Sequence, residues 1–139
     1  MTLPSLAAQI FLDSSAIYAE VGWRDPNHLR ARSIERQLRR ANVELVTSNF
    51  VVAEAHALIL GRENRALALS TLHYLDSGGV SVIRIDEEDE LAARRILERY
   101  SDKDFSLVDA TSFVVMDALS IRTAFAFDEN FRQYGFVTL

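Results

Sequence analysis

One short stretch decides the fold of this chain: Gln9-Ile10-Phe11-Leu12-Asp13-Ser14-Ser15. Three strongly apolar residues are followed by an acid and two serines. This order is typical of a buried strand that passes directly into a helix. We therefore predict a strand at Gln9–Leu12 and a short helix from about Ser15. Asp13 then lies at the carboxyl end of the strand, where it can also cap the helix.

The rest of the chain repeats this alternation of short apolar runs with longer helical ones. The pattern favours an α/β fold, a three-layer α/β/α sandwich with a central, mostly parallel sheet of about five strands. Further strands are predicted at residues 43–47, 80–85, 123–127 and 136–138. Helices are predicted at about 27–40, 48–60 with Gly61 as the stop, 64–76, from Asp86, from Ser106, and 129–134. No linker or repeat interrupts the pattern, so residues 1–139 are expected to form a single domain.

Composition limits the class of protein. The chain has 139 residues, of which 49% are hydrophobic, and this is enough for one core. It contains no cysteine, which excludes disulfides, thiolate zinc sites and cysteine nucleophiles. The apolar runs are far shorter than a membrane span and no signal peptide is recognisable, so a soluble, cytoplasmic protein is expected. Because the net charge is −5, any contact with nucleic acid must be local.

Four separated acids are each set among apolar or helix-start residues. They are Asp13, Glu54, Asp109 and Asp128. Buried carboxylates are costly without a partner, yet no Lys or Arg lies within four residues of the first three, and Asp128 has only Arg132. Oxygen ligands suit Mg²⁺ and Mn²⁺, so a hard divalent cation is the expected partner. Asp13 and Asp128 both end predicted strands, and they face one crevice if those strands are neighbours.

Each acid also has a purely structural interpretation. Asp13 and Asp128 can act as helix or turn caps, and Asp109 stands at capping-box spacing from Ser106. Glu54 is the strongest candidate for a functional role. Its neighbours one helical turn away are all apolar: Phe50, Val51, Ala57 and Leu58. A solvated glutamate would have polar neighbours there, so Glu54 is expected on the core-facing side of its helix.

Other polar residues are weaker candidates. Asp104, Ser14 and Ser112 are candidate accessory residues, although Asp104 is also a natural loop residue and Ser112 lies on the inward side of its helix. The three histidines show no metal spacing and are interpreted as structural. The predicted second helix carries five arginines against one acid, Glu35, and is either a solvated face or a contact for RNA or an acidic partner. The arginines are Arg30, Arg32, Arg36, Arg39 and Arg40.

Together these segments resemble the PIN-domain family of metal-dependent nucleases, and within it the VapC-type toxins of type II toxin–antitoxin modules. Four ordered segments carry the resemblance: Phe11-Leu12-Asp13-Ser14-Ser15-Ala16, Glu54 in its apolar helix, Ser106-Leu107-Val108-Asp109-Ala110-Thr111-Ser112-Phe113 and Phe127-Asp128-Glu129-Asn130-Phe131. The resemblance covers nearly the whole chain. It implies that Asp13, Glu54, Asp109 and Asp128 are both the catalytic and the metal-binding quartet, with Mg²⁺ or Mn²⁺ as cofactor and RNA as substrate. It further implies a homodimer and a cognate antitoxin.

The chain departs from the family pattern in two places. Ala126 stands where many relatives carry Thr or Ser, and the stretch before Asp13 is slightly longer than usual, which we interpret as an N-terminal tail. Because of Ala126, a PIN-like domain that binds RNA without cutting it stays open as an alternative. A receiver-type phosphoacceptor module is disfavoured, because serines follow Asp13 and the only lysine, Lys103, lies in a predicted loop. A phosphatase with an Asp-x-Asp nucleophile is disfavoured because Ser15 occupies the second position.

Overall fold

The structure is a computed structural model that describes residues 9–139. Its central element is a parallel β-sheet. Its strands are β1 Gln9–Leu12, β2 Glu44–Ser48, β3 Val80–Ile83, β4 Thr123–Phe125 and β5 Val137–Thr138. They are arranged in the order β3-β2-β1-β4-β5, and every pair of neighbours is parallel. The predicted parallel sheet of five strands is confirmed. Most of the expected N-terminal tail lies outside the described residues.

Seven α-helices connect these strands within residues 9–139. They are α1 Ser14–Val21, α2 His28–Arg40, α3 Asn49–Arg62, α4 Arg65–Tyr74, α5 Glu87–Arg99, α6 Leu107–Leu119 and α7 Asn130–Tyr134. From β1 the chain moves through α1 to α4 towards β3, and it then returns across the sheet through α5 and α6 to β4. Because crossovers between parallel strands are right-handed, this reversal places the two groups of helices on opposite faces of the sheet.

The strand order reverses between β1 and β4, which lie side by side at the centre of the sheet. Leu12 is paired with Phe125, and the backbone N–H of Asp13 donates to the Phe125 carbonyl at 3.1 Å. In open α/β sheets, this reversal leaves a crevice outside the carboxyl ends of the strands. Asp13 and Asp128 can share a crevice only if the strands that precede them are neighbours. β1 and β4 are neighbours.

Helix starts agree closely with the sequence because their capping residues are local signals. Asp86 with Asp89, and Ser106 with Asp109, form complete capping boxes at the starts of α5 and α6. Helix and strand ends agree less well. Gly61 lies inside α3 rather than after it, and the strands predicted to reach 85 and 127 end at Ile83 and Phe125.

An aromatic cluster forms the core between α6, α7 and the sheet. Phe113 is fully buried, packs edge-on against Phe131 with ring centroids 5.3 Å apart, and stacks on Tyr134 at 4.4 Å. Phe11 of β1 contacts Phe131 from the sheet side, at 6.2 Å. This cluster fixes α6 and α7, which carry two segments of the site described below, against the central strands. No helix in the described part of the chain is long and apolar enough to span a membrane.

Candidate active site

Asp13 is the most deeply placed of the four acids, with only 2% of the residue exposed. It follows β1 directly and caps α1: its Oδ2 accepts from the Ser15 backbone N–H at 3.1 Å and from the Ser15 hydroxyl at 2.6 Å. Its Oδ1 is buried without a hydrogen-bond partner among residues 9–139. Burial raises the pKa of Asp13 to about 7, and the nearby Asp109 carboxylate adds to this, while the Ser15 hydrogen bonds oppose it.

Ser15 joins three elements through one hydroxyl. The hydroxyl donates to Asp13 and accepts from the backbone N–H of Phe127 at 3.0 Å, 112 residues further along the chain. The start of α1, the end of β1 and the segment after β4 are therefore tied at one atom. This contact orients the Asp13 carboxylate, and Ser15 had no assigned role in the sequence-based prediction of the site.

Asp109 lies at the first turn of α6 and is 6% exposed. Its Oδ2 accepts from the Ser106 backbone N–H at 3.0 Å and from the Asn130 side-chain amide at 2.7 Å. Burial raises the pKa of Asp109, and the neighbouring Asp128 carboxylate raises it further, against the effect of these hydrogen bonds. The capping role and a place in the crevice therefore coexist at Asp109, as the sequence allowed.

Asn130 bridges the last two acids. Its backbone N–H donates to Asp128 Oδ1 at 2.7 Å, and its side-chain amide donates to Asp109. Asp128 follows β4 and is half-buried. Sequence reasoning missed Asn130 as a site residue because its partner Asp109 is 21 residues away, and only the fold brings α6 and α7 together.

Glu54 reaches the site through Ser14 rather than by direct contact with another acid. The Ser14 hydroxyl donates to Glu54 Oε1, and Ser14 is buried beside Asp13 at the start of α1. Glu54 itself is half-buried on α3. The structure therefore brings Asp109 close to Asp13 and Asp128 close to Asp109, and it connects Glu54 through the predicted accessory residue Ser14.

The other two predicted accessory residues do not contact the four acids. Asp104 is exposed in the loop before α6. Ser112 is fully buried, and its hydroxyl donates to the Val108 carbonyl one turn earlier in α6, at 2.9 Å. This is the core-packing alternative that the sequence left open for Ser112.

The donor chemistry at the crevice suits a hard cation, because carboxylates converge there and one buried carboxylate oxygen has no partner. The side chains are nevertheless held in internal hydrogen bonds. Within residues 9–139, no three or more His, Asp or Glu side chains are arranged so as to hold a metal ion.

A separate cavity of about 360 Å³ lies between α1, α2 and α4, and none of the four acids lines it. Glu20 projects from the end of α1 into this cavity. Burial raises the pKa of Glu20 to about 8, and Glu35 adds to the effect, while Arg39 and Arg32 oppose it. Arg39 itself is occupied by an ion pair with Glu35 and a hydrogen bond to the Tyr74 hydroxyl.

The family model described as "PIN domain" matches residues 10–137 of this sequence. The chain belongs to the PIN-domain family. A curated relative from Mycobacterium tuberculosis, the "23S rRNA-specific endonuclease VapC20", is 32% identical over 128 residues, which cover 92% of this chain and 95% of the relative. The crystal structure of M. tuberculosis VapC20, described as a sarcin–ricin loop cleaving toxin, matches with a TM-score of 0.84 over 92% of this chain and 96% of that one.

Two solved structures of lower sequence identity are similar to this chain in fold alone. VapBC2 from Rickettsia felis, solved with a promoter DNA fragment, matches with a TM-score of 0.69 at 13% identity, over 94% of this chain and 97% of that one. FitAcB from Neisseria gonorrhoeae matches with a TM-score of 0.63 at 17% identity, over 94% and 96%. The PIN domain is a nuclease domain, and the family resemblance of the four sequence segments is confirmed.

Proposed function

We propose that this PIN domain is a Mg²⁺- or Mn²⁺-dependent endoribonuclease whose acidic site is Asp13, Glu54, Asp109 and Asp128. The observation that carries the proposal is the environment of Asp13. Its carboxylate is buried at the strand-order reversal, keeps one oxygen without a partner, and lies close enough to Asp109 for that carboxylate to disfavour the charge on Asp13. Evolution rarely keeps such a costly group without a function. The 32% identity to a 23S rRNA endonuclease supports RNA as the substrate.

The four carboxylates would hold the cation, since oxygen ligands are those that Mg²⁺ and Mn²⁺ prefer. When bound, such an ion supplies Lewis acidity: it lowers the pKa of a bound water and offsets charge on phosphate oxygens. A positive charge beside Asp13 and Asp109 also lowers their pKa values, which burial and a neighbouring carboxylate now raise in each case. Entry of an RNA phosphate into the acidic crevice depends on the same neutralisation, because phosphates and free carboxylates repel each other.

The remaining polar residues hold the acids in place. Ser15 fixes one oxygen of Asp13 and leaves the other free. Asn130 sets the separation of Asp109 and Asp128 through its two N–H donors. Ser14 orients Glu54 towards the end of β1. Residues that orient metal ligands in this way commonly change metal affinity or activity by about 10- to 100-fold when they are replaced.

We further infer that the chain is the toxin of a VapBC-type module, with a cognate antitoxin and a homodimeric state. The supporting finding is the relationship to VapC20 over nearly the full length of both chains. A partner that inhibits this site is expected to present Arg or Lys to the acids, because the carboxylates attract positively charged side chains.

Cleavage of a panel of structured and single-stranded RNAs by the purified protein tests the nuclease. The panel includes a stem-loop and is run with Mg²⁺, with Mn²⁺ and with EDTA. We expect metal-dependent cutting that Asp109→Asn abolishes while its circular dichroism spectrum is retained. Asp76→Asn, at an exposed acid in the turn after α4, is the matched control and should cut normally.

A folded Asp109→Asn protein that cuts like the wild type would refute this assignment of the site. If the wild type binds Mn²⁺ and RNA but cuts no member of the panel, the PIN-like RNA-binding alternative replaces the nuclease.

A further inference from the structure

The turn between α1 and α2 carries the only tryptophan of the chain, and it is exposed. Trp23 is 67% exposed, although indole rings are normally well buried. The Arg24 guanidinium lies over its ring, 4.8 Å from the centroid. Proteins that bind single-stranded nucleic acid use exposed aromatic rings and arginine guanidinium groups of this kind to stack unpaired nucleobases.

The exposed side of α2 continues this turn with positive charge. Leu29, Arg36 and Arg40 follow one another at helical spacing and are all exposed, Leu29 by 81%. Arg30 is exposed on the adjacent side. None of the ion pairs formed within residues 9–139 uses Arg24, Arg30, Arg36 or Arg40. We call these residues the Trp23 surface: Trp23, Arg24, Leu29, Arg30, Arg36 and Arg40.

The charge of this segment is opposite to that of the chain. Residues 22–40 contain six arginines and two acids, whereas the whole chain has a net charge of −5. Positive charge is therefore concentrated on one helix and its preceding turn. A protein that repels nucleic acid over most of its surface can bind it only where charge is grouped in this way.

Helix α1 links the Trp23 surface to the acidic site. The N-cap of α1 is Asp13, and the helix ends at Val21, two residues before Trp23. Eight residues span about 12 Å, because an α-helix rises about 1.5 Å per residue. Asp13 and the start of the turn that carries Trp23 are therefore separated by about the length of this short helix.

We propose that the Trp23 surface binds single-stranded RNA, with an unpaired base stacked on Trp23 and phosphates beside Arg30, Arg36 and Arg40. The proposal rests on the proposed nuclease function for its biological sense, and it adds the element that recognises the substrate. Arginines at helical spacing suit a regular polyanion, and the aromatic ring suits its bases, so RNA fits this surface better than an acidic protein does.

Because Trp23 is the only tryptophan, its fluorescence reports this contact directly. The wild-type protein is titrated in EDTA, which prevents metal-dependent cleavage, with three probes: a stem-loop RNA, a blunt RNA duplex and inorganic polyphosphate. We expect the stem-loop to quench and shift the emission. The duplex and the polyphosphate should bind the arginines with little quenching, since neither offers an unstacked base.

Anisotropy of a labelled stem-loop RNA then measures affinity for the variants. Trp23→Ala should bind roughly 5- to 100-fold more weakly, as expected for loss of one stacked base, and Trp23→Phe should recover most of the loss. Arg36→Ala should weaken binding and reduce its salt dependence by about one phosphate contact. Arg95→Ala, at an exposed arginine of α5, is the matched control and should bind like the wild type.

Emission that does not change with any RNA, together with unaltered affinity in Trp23→Ala, would overturn the proposal and leave the surface to a protein partner. Cleavage measured separately with Mg²⁺ or Mn²⁺ distinguishes this result from failure of the nuclease. Normal cleavage by Trp23→Ala refutes the Trp23 surface alone. Absence of cleavage by a wild-type protein whose Trp23 is quenched by RNA refutes the nuclease alone.

Discussion

Replacement of Glu20 by Gln tests how this fold tolerates a carboxylate in the cavity between α1, α2 and α4. The pKa of Glu20 is raised from 4.5 to about 8, chiefly by burial. Between these two pH values, the folded protein keeps a proton that the unfolded chain has already lost. The unfolding free energy of the wild type should therefore fall as the pH rises from about 4.5 to about 8, and this loss should be absent in Glu20→Gln.

The size of the effect follows from the shift. One pKa unit corresponds to about 1.4 kcal/mol, so the full shift sets a ceiling of roughly 4 to 5 kcal/mol. The real loss should be smaller, because Glu20 keeps some contact with solvent and the side chains of Arg32 and Arg39 can move towards an ionised carboxylate. We expect Glu20→Gln to gain about 1 to 2 kcal/mol over the wild type between pH 5 and pH 8.5.

Urea denaturation of both proteins at pH 5, 6, 7 and 8.5 measures this difference. Subtraction of the wild-type values from those of the variant removes the pH dependence that the two proteins share. Glu98→Gln, at an exposed position on α5, controls for the loss of one surface charge. A stability difference that stays constant across this range, or that favours the wild type at pH 8.5, would refute the reasoning.

Three further substitutions have definite expected outcomes. Ser15→Ala removes the donor to Asp13 and the acceptor for the Phe127 N–H, so its unfolding free energy in urea should fall by about 1 to 3 kcal/mol; no loss would mean that this contact is dispensable. Asn130→Ala should reduce the rate of RNA cleavage by about 10- to 100-fold with the fold retained, and an unchanged rate would exclude Asn130 as a positioning residue. Phe113→Ala empties the centre of the aromatic cluster and should cost about 3 to 5 kcal/mol in the same urea assay; a cost below about 1 kcal/mol would show that the cluster collapses around the gap.

Local signals explain why the sequence predicted the starts of elements well. Ser48, Asp86 and Ser106 each cap the helix that follows, because their side chains accept a backbone N–H a few residues ahead. The ends of elements depend on what the fold places nearby. Gly61 was expected to end α3, but it is exposed with nothing within 4 Å of an added Cβ, and the helix continues to Arg62.

An apolar run predicts too long a strand where the backbone at its end has no neighbouring strand to pair with. Ala126 and Phe127 continue the apolar run of β4, yet the Phe127 N–H is taken by the Ser15 hydroxyl instead of a neighbouring strand.

The acids of the site could be selected from sequence because each has an unusual apolar or helix-start setting. Their partners could not, since Asn130 and Ser15 act across separations of 21 and 112 residues. The order of the strands also depends on residues far apart in sequence, and no local pattern predicts that β4 lies beside β1. Spacing alone does not place the four acids in one site; that expectation rests on the family resemblance.

The pairing of β1 with β4 also has a consequence for protein synthesis. Asp13 is among the first parts of the described chain to leave the ribosome, whereas Phe125, Asp128 and Asn130 follow more than 110 residues later. Until then the Asp13 segment has no β4 to pair with and the acids have no common crevice. An unfinished copy therefore lacks the complete proposed site, and the proposed nuclease should not act on RNA near its own ribosome before translation has passed the last of these residues.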